Sequence, residues 1–534
     1  VRPEPLLAFA AIAIPTPALA QRSCESLKDL ALPQAAVTAA TPVAAASFTI
    51  PNAPSAKPLA LPAYCRVEGV ARPTADSEIK FEVWLPVGAA WNGKFNQIGN
   101  GGYAGVITPA GLASGAARGF ATAATDNGHV GPTPEFAIGH PEKVIDFGHR
   151  AVHLTAEHGK AIVAAFYGRP AARSYFFGCS DGGREALMEA KRYPADFYGI
   201  IVGAPANDWT RLLTSGVSIW LALNETPGSM IPVDKLAAIQ RAALEQCDRG
   251  DGVADGLIED PRRCQFRPAT LQCRGAEDQS CLTADQLRAL EKIYRGPSRA
   301  GEPLFPGMVP GTEAYPGNWN PWMVGLSPTG LPLLPWFGTT FYANMVFENP
   351  GWDFKTFDLD RDFATALAKV APHLDATDPD LTAFRDRGGK LIQYHGWGDA
   401  AINGHSSIEY YQRVKRTMEK PGAPPVEDFY RLFMVPGMGH CAGGAGPSSF
   451  GNGFDNEHQG DPSRDLRTAL ERWVEQGTAP EMFIATGVRS GDPVGDRAKE
   501  TPLSRPLCRY PKVARYRGQG STDEATSFAC AEPK

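Results

Sequence analysis

Hydrophobic and polar positions change their period several times along this chain. Residues 79–85 alternate, as in Phe81-Glu82-Val83-Trp84, which is the pattern of a strand with one buried face. Short apolar runs at 95–98, 119–124, 173–177 and 199–202 predict further strands. Residues 147–167 instead follow a 3.6-residue period, with Val152, Ala156, Ile162 and Phe166 on one face, and predict a helix. Strand alternating with helix implies a mostly parallel sheet with its ligands at the carboxyl ends of the strands. The Ala-, Pro- and Ser-rich stretch before it, 21–64, predicts an extended lead-in with short strands at best.

From about residue 207 the rhythm breaks. Helices are expected at 209–223 and 233–246, followed by a cysteine-rich stretch to Cys281. Between 300 and 354 Pro, Gly and aromatic residues dominate, including Trp319, Trp322, Trp336, Phe337, Phe341, Tyr342, Phe347 and Trp352. These aromatics suit either a core of their own or a stacking wall for an aromatic ligand. The α/β rhythm resumes near residue 383, with strands at 390–394 and 430–435 and helices at 406–419 and 464–475. The expected organisation is one α/β domain, 21–206 with 378–534, interrupted by a lid at 207–377.

One strand-to-helix junction carries chemistry. Phe176-Phe177-Gly178-Cys179-Ser180-Asp181-Gly182-Gly183 places a G-x-S-x-G signature between a strand and a helix. That is the nucleophile elbow of an α/β-hydrolase, and the predicted fold is an α/β-hydrolase with a large inserted lid domain. Without its strand and helix the motif would be an ordinary glycine-rich turn. A serine needs a base, and the base an orienting acid, in the chain order Ser, acid, His. Among ten histidines, His440 alone follows a late strand into a glycine-rich loop, and Asp399 lies just past the strand at 390–394. Ser180, Asp399 and His440 are therefore the expected triad. The oxyanion hole would use the N–H of Asp181 and that of Gly102 (or its neighbour Gly101) in the loop Gly99-Asn100-Gly101-Gly102.

Residues 1–20 combine Arg2, a short apolar run and Ala18-Leu19-Ala20, which reads as a signal peptide and places the protein outside the cell or in a periplasm. Ten cysteines then suggest disulfides. Nearness in sequence suggests Cys247–Cys264, Cys273–Cys281 and Cys508–Cys530, leaving Cys24, Cys65, Cys179 and Cys441 with three possible pairings. If Ser180 and His440 meet, Cys179 and Cys441 come within bonding distance, and Cys24–Cys65 follows. A formal charge of −6 without a basic cluster argues against a nucleic-acid partner, and no other stretch is apolar enough to span a membrane.

Asp248, Asp251 and Asp255 lie within eight residues among glycines. With the carbonyls of Val253 and Leu257 they offer a hard-oxygen shell for a structural Ca²⁺, though not with EF-hand spacing. The competing reading is an exposed acidic turn.

Four motifs together resemble the tannase and feruloyl esterase family: Gly178-Cys179-Ser180-Asp181-Gly182-Gly183-Arg184, Gly203-Ala204-Pro205-Ala206, His395-Gly396-Trp397-Gly398-Asp399 and Gly437-Met438-Gly439-His440-Cys441. The resemblance implies the same triad, a disulfide joining Cys179 to Cys441, and lid calcium at 248–257. It also implies a small aromatic ester as substrate, free or linked to a polysaccharide or tannin. The family includes esterases for hydroxycinnamoyl and galloyl esters and an enzyme that hydrolyses mono(2-hydroxyethyl) terephthalate. The C-terminal third looks most like that enzyme, in Phe384-Arg385-Asp386-Arg387-Gly388-Gly389-Lys390, Arg505-Pro506-Leu507-Cys508 and Phe528-Ala529-Cys530. There a lid arginine holds the substrate carboxylate; here no Arg or Lys stands between Arg299 and Lys355, which favours an uncharged phenolic ester. Trp397, Trp336 and Phe341 are the expected substrate contacts. A non-catalytic phenolic- or carbohydrate-binding protein on the same scaffold would be expected to lack a triad member, and none is missing.

Overall fold

The computed structural model describes residues 22–489 and 501–533, except 52, 54 and 55; the expected leader at 1–20 lies outside them. The central sheet has nine strands: β1 (Ala35–Val43), β2 (Tyr64–Ala71), β3 (Ile79–Pro86), β4 (Lys94–Ile98), β5 (Ala121–Thr125), β6 (Arg173–Cys179), β7 (Gly199–Gly203), β8 (Lys390–Gly396) and β9 (Tyr430–Val435). Their spatial order is β1-β2-β3-β5-β4-β6-β7-β8-β9. The first four in that order pair antiparallel, and from β5 to β9 every pairing is parallel.

Burial follows the two-residue strand period on both faces. Phe176, Ile200, Val202 and Leu391 join one apolar cluster, while their neighbours Tyr175, Phe177, Ile201 and Ile392 join the other. Because both faces are covered, these strands read as continuous apolar runs. The carboxyl ends of β4, β6, β8 and β9 all emerge at the same edge, so the loops that follow them converge there.

The lead-in differs from expectation. Residues 35–43 form a full strand, paired residue for residue with Tyr64–Ala71 across one bulge. Alanine-rich sequence carries little β preference of its own, so the neighbouring strand's ladder decides its conformation. Two C-terminal ribbons also go beyond the expected elements: Met482–Arg489 with Thr501–Cys508, and Val513–Tyr516 with Phe528–Ala531.

Between β7 and β8 lies a mostly helical insertion, including Trp209–Leu223, Leu236–Cys247, Ala284–Arg295, Leu333–Thr340 and Leu359–Lys369. Ala284–Arg295 opens on a capping box of Thr283 and Gln286, a signal that periodicity does not register. The insertion packs around Trp209, Trp319, Phe341 and Tyr342, and the same cluster takes in Tyr103 and Phe147 from the sheet-bearing part. All five disulfides pair as expected, with Cys24–Cys65 joining the chain before β1 to β2. No helix among the described residues is long and apolar enough to cross a membrane.

Candidate active site

Ser180 occupies the turn between β6 and the helix Asp181–Arg192, with φ 65° and ψ −120°. A non-glycine residue held at positive φ is strained, and the surrounding contacts show what holds it. A Cβ at Gly178 would stand 2.3 Å from the carbonyl oxygen of Gly182, and one at Gly182 would stand 2.8 Å from that of Asn100. Bare backbone at these two positions lets strand, helix and the β4 loop meet at the serine.

Asp399 follows the end of β8 and His440 follows the end of β9. The Ser180 Oγ lies 2.9 Å from His440 Nε2, and His440 Nδ1 lies 2.8 Å from Asp399 Oδ2. The other Asp399 oxygen accepts the N–H groups of Ala401 and Ile402 at 2.8 and 2.9 Å. Burial works to raise the Asp399 carboxyl, but His440 and His395 beside it win and hold it well below the usual carboxylate range. Asp399 is therefore an anion at neutral pH, which fixes the N–H of His440 on Nδ1 and leaves Nε2 free to accept from serine.

His395, fully buried, backs the aspartate. Tyr430 donates to Gln393, Gln393 Nε2 donates to Ser407 Oγ at 2.6 Å, and Ser407 Oγ lies 2.6 Å from His395 Nδ1. The opposite nitrogen of His395 faces the Ile402 carbonyl at 2.9 Å and Asp399 Oδ2 at 3.3 Å.

The flanking cysteines, Cys179 and Cys441, are bonded to each other. Cys441 has φ 63°, and Asn452 Nδ2 donates to its carbonyl at 2.9 Å. On the other flank Asp181 pairs with buried Arg184 at 2.6 Å, and Arg184 donates to the carbonyls of Gly148 and Phe147 at 2.6 and 3.0 Å. Gly102, at φ 59°, stands two residues after Asn100, whose carbonyl accepts the Gly182 N–H at 2.9 Å. The loop bearing Gly101 and Gly102 thus lies directly against the first turn of the serine's helix.

The aromatic residues of the insertion differ in their surroundings. The rings of Trp322 and His440 meet edge to face at 5.1 Å. The Phe337 ring would stand 3.3 Å from a Cβ on Gly102, and Tyr103 Oη donates to the Phe337 carbonyl at 2.8 Å. Trp336, half-buried, packs on Tyr103 and Phe337. Phe341 is fully buried against Tyr342 in the core of the insertion, and Trp397 is 4% exposed with the Arg262 guanidinium over its ring, so both rings are packed within the protein. Their aromatic character pointed to ligand contact, but packing has claimed both rings. Trp322 and Phe337 are the residues that sequence reasoning left undistinguished, since sequence cannot say which lid aromatics face the base.

In the acidic loop, Asp248 accepts the N–H groups of Asp255 and Gly256 at 3.2 and 3.0 Å, and Asp251 accepts that of Val253 at 3.0 Å. Asp255 accepts the Leu257 N–H at 3.2 Å and pairs with buried Arg505. Burial, with repulsion from Asp255 and Asp248, pushes Asp251 up to about 6. Burial raises the Asp248 carboxyl as well, whereas Asp255 is held in its pair with Arg505.

A different group, His153, Glu189 and Asp196, is the one among the described residues whose ligand atoms gather within 4.8 Å of one another. There His153 Nδ1 and Lys160 Nζ already bind the two Asp196 oxygens at 2.6 and 2.9 Å. Burial and the Asp196 charge push Glu189 well above its ordinary range. His153 and Lys160 therefore already occupy both Asp196 oxygens.

A strained serine at the strand-to-helix turn, hydrogen-bonded to a histidine and through it to a buried aspartate, on this sheet order, defines the α/β-hydrolase class. A family model described as tannase and feruloyl esterase matches residues 65–531. An uncharacterised esterase of Xanthomonas campestris pv. campestris is 42% identical, covering 97% of this chain and 93% of its own length. The mono(2-hydroxyethyl) terephthalate hydrolase of Piscinibacter sakaiensis is 35% identical, with the same two coverages of 97% and 93%. The crystal structure of feruloyl esterase B from Aspergillus oryzae superposes with a TM-score of 0.84 at 31% identity, covering 95% of this chain and 99% of that one. The chain belongs to the tannase and feruloyl esterase family and is a carboxylic ester hydrolase of that type, acting on a small-molecule ester.

Proposed function

We propose that the protein is an exported serine esterase for aromatic carboxylic esters of the feruloyl, hydroxycinnamoyl or galloyl kind, including esters carried on polysaccharides or tannins. The observation that carries the reading is the hydrogen-bonded line from Ser180 through His440 to Asp399, at 2.9 and 2.8 Å. His440 Nε2 takes the Ser180 proton as Oγ attacks the ester carbonyl carbon. The oxyanion is held by the N–H groups of Asp181 and Gly102, a contribution on the order of 10²–10³ in rate per donor. The tetrahedral intermediate then collapses, and the His440 proton leaves with the alcohol. Water repeats the sequence on the acyl-enzyme, with His440 again as base, to release the acid and restore Ser180.

Trp322, Phe337 and Trp336 form an apolar wall beside His440 and Gly102 that suits a planar acyl group. The lid segment from 300 to 354 has no Arg or Lys, which favours a neutral phenolic acid over terephthalate. The terephthalate half-ester remains a second reading because of the 35% identical Piscinibacter relative.

Five disulfides suit an oxidising compartment, periplasmic or extracellular. Asp248, Asp251 and Asp255, with the carbonyls of Val253 and Leu257, would hold a structural Ca²⁺ within the loop closed by Cys247–Cys264. The ion would neutralise Asp248 and Asp251 beside the Asp255–Arg505 pair and take no part in ester cleavage.

The test is hydrolysis of methyl ferulate, methyl gallate and mono(2-hydroxyethyl) terephthalate by the wild type and by Ser180→Ala. Release of the phenolic acids by the wild type alone is expected. Undiminished release by Ser180→Ala would remove the triad.

A further inference from the structure

Glu185 stands in the second turn of the helix Asp181–Arg192, 1% exposed, and the mechanism above gives it nothing to do. Its Oε2 accepts the backbone N–H of Asn100 at 3.0 Å, and its Oε1 accepts the Asn127 side-chain amide at 2.5 Å. Asn100 closes the ring by donating its own side-chain amide to Asn127 Oδ1 at 3.0 Å and to the Thr125 carbonyl at 3.0 Å. A carboxylate only accepts, so the NH₂ of Asn127 must face Glu185 and its oxygen must face Asn100. All three side chains are buried, Asn100 at 8% and Asn127 at 0% exposure.

This ring is an expensive way to fill space. Burial, reinforced by the Asp181 charge, pushes Glu185 up to about 7. The adjacent cation, Arg184, is engaged by Asp181 and the carbonyls of Phe147 and Gly148. A buried carboxylate without an ion-pair partner costs stability, and such a cost at a functional site calls for a role. Packing at the junction leaves no slack either: a Cβ on Gly99 would stand 2.8 Å from both Glu185 Oε2 and the Gly182 Cα.

We infer that Glu185 is a positioning residue for the oxyanion pocket, tying the loop that carries Gly101 and Gly102 to the helix that carries Asp181. The inference rests on the serine-esterase reading. The two proposed N–H donors come from separate segments, one after β4 and one at the start of the helix. The Asn100–Glu185–Asn127 ring and the Gly182-to-Asn100 bond, at 2.9 Å, make these segments one rigid body. Preorganised donors stabilise developing charge because they need not reorient during the reaction.

The experiment compares the wild type, Glu185→Gln, and the reciprocal double variant Glu185→Gln/Asn127→Asp on whichever panel ester the enzyme turns over. In the single variant the new glutamine sets its NH₂ against that of Asn127 and breaks the ring. In the double variant the introduced aspartate accepts from that glutamine and from Asn100, restoring the ring with its polarity reversed. In Glu185→Gln, kcat is expected to fall about tenfold or more with KM within about twofold. Binding of phenylboronic acid, which forms a tetrahedral serine adduct, is expected to weaken in parallel. The double variant is expected to recover kcat to within about threefold of the wild type, as a coupled pair should. Near-UV circular dichroism checks that each variant is folded. Wild-type kcat and boronate affinity in Glu185→Gln, a change in KM alone, or a double variant no better than the single one would each overturn the inference. Inactive Ser180→Ala beside an unaffected Glu185→Gln overturns this inference alone, whereas active Ser180→Ala overturns the esterase reading and this inference with it.

Discussion

Cys179 and Cys441 lie 262 residues apart in sequence and 6.0 Å apart at their Cα atoms, joined by a disulfide. Each is the immediate neighbour of a member of the Ser180–His440 pair, so one covalent bond sets the register between the turn after β6 and the loop after β9. The double variant Cys179→Ser/Cys441→Ser should therefore lose stability and activity together. Such a bridge contributes roughly 2–4 kcal/mol, mainly by restricting the unfolded chain. Calorimetry should show a lower melting temperature, and ester turnover at temperatures where the variant is folded should still fall severalfold. Unchanged turnover in a folded variant would leave the bridge a purely structural role.

Trp322 meets His440 edge to face at 5.1 Å. Trp322→Ala should raise KM for methyl ferulate by roughly two- to tenfold, the effect of losing one aromatic contact of about 0.5–1.5 kcal/mol. Turnover of a short aliphatic ester such as ethyl acetate, which has no ring to stack, should change little. Equal losses on both esters would assign Trp322 to holding His440 instead of to the acyl group.

Asp251, pushed up to about 6, should be ionised by bound calcium. Removal of calcium by EGTA should lower the melting temperature, and readdition should restore it. Asp251→Asn should weaken calcium binding by titration calorimetry and abolish the EGTA effect, with kcat on folded protein unchanged.

Glu189 has a folded pKa well above its ordinary 4.5. For a carboxyl raised on folding, stability is fullest below the unfolded value and declines as pH rises from there toward the folded value. Glu189→Gln keeps the shape of the side chain while removing the titration. Denaturant unfolding between pH 4 and pH 9 should give a flatter stability profile than the wild type's, with the variant gaining most at high pH. A steeper profile in the variant would mean that Glu189 is ionised in the folded protein.

Asp399 behaves in the opposite sense. Its carboxyl is held below the usual range by His440 and His395 against the effect of burial, so its stabilising charge is present above about pH 4 and is lost as pH falls further. Asp399→Asn should leave the protein folded at neutral pH but reduce kcat by on the order of 10⁴, because the imidazole is then held in the wrong tautomer.

The strands that bear Ser180, Asp399 and His440 were legible because each is buried on both faces and reads as a short apolar run closed by glycine. Strand β1 was not, since 35–43 is alanine-, threonine- and proline-containing chain whose conformation comes from its pairing with β2. The polar ring around Glu185 was equally hidden. Asn100, Asn127 and Glu185 come from three separate segments, and none has a spacing that marks it. Phe341 and Trp397 show the same limit from the other side, for an aromatic side chain looks alike in sequence whether it fills a core or lines a cleft.

The sequence by itself determined the elbow and the chain order of Ser180, Asp399 and His440, because local turn chemistry and the order of strands constrain these directly, whereas it tied the pairing of Cys179 with Cys441 to the meeting of Ser180 and His440. Only the tertiary structure decided which lid rings face His440, and that Asn100, Asn127 and Glu185 close on one another behind the serine. Those relationships depend on how distant segments pack, and packing is a property of the folded surface that no stretch of the chain carries alone.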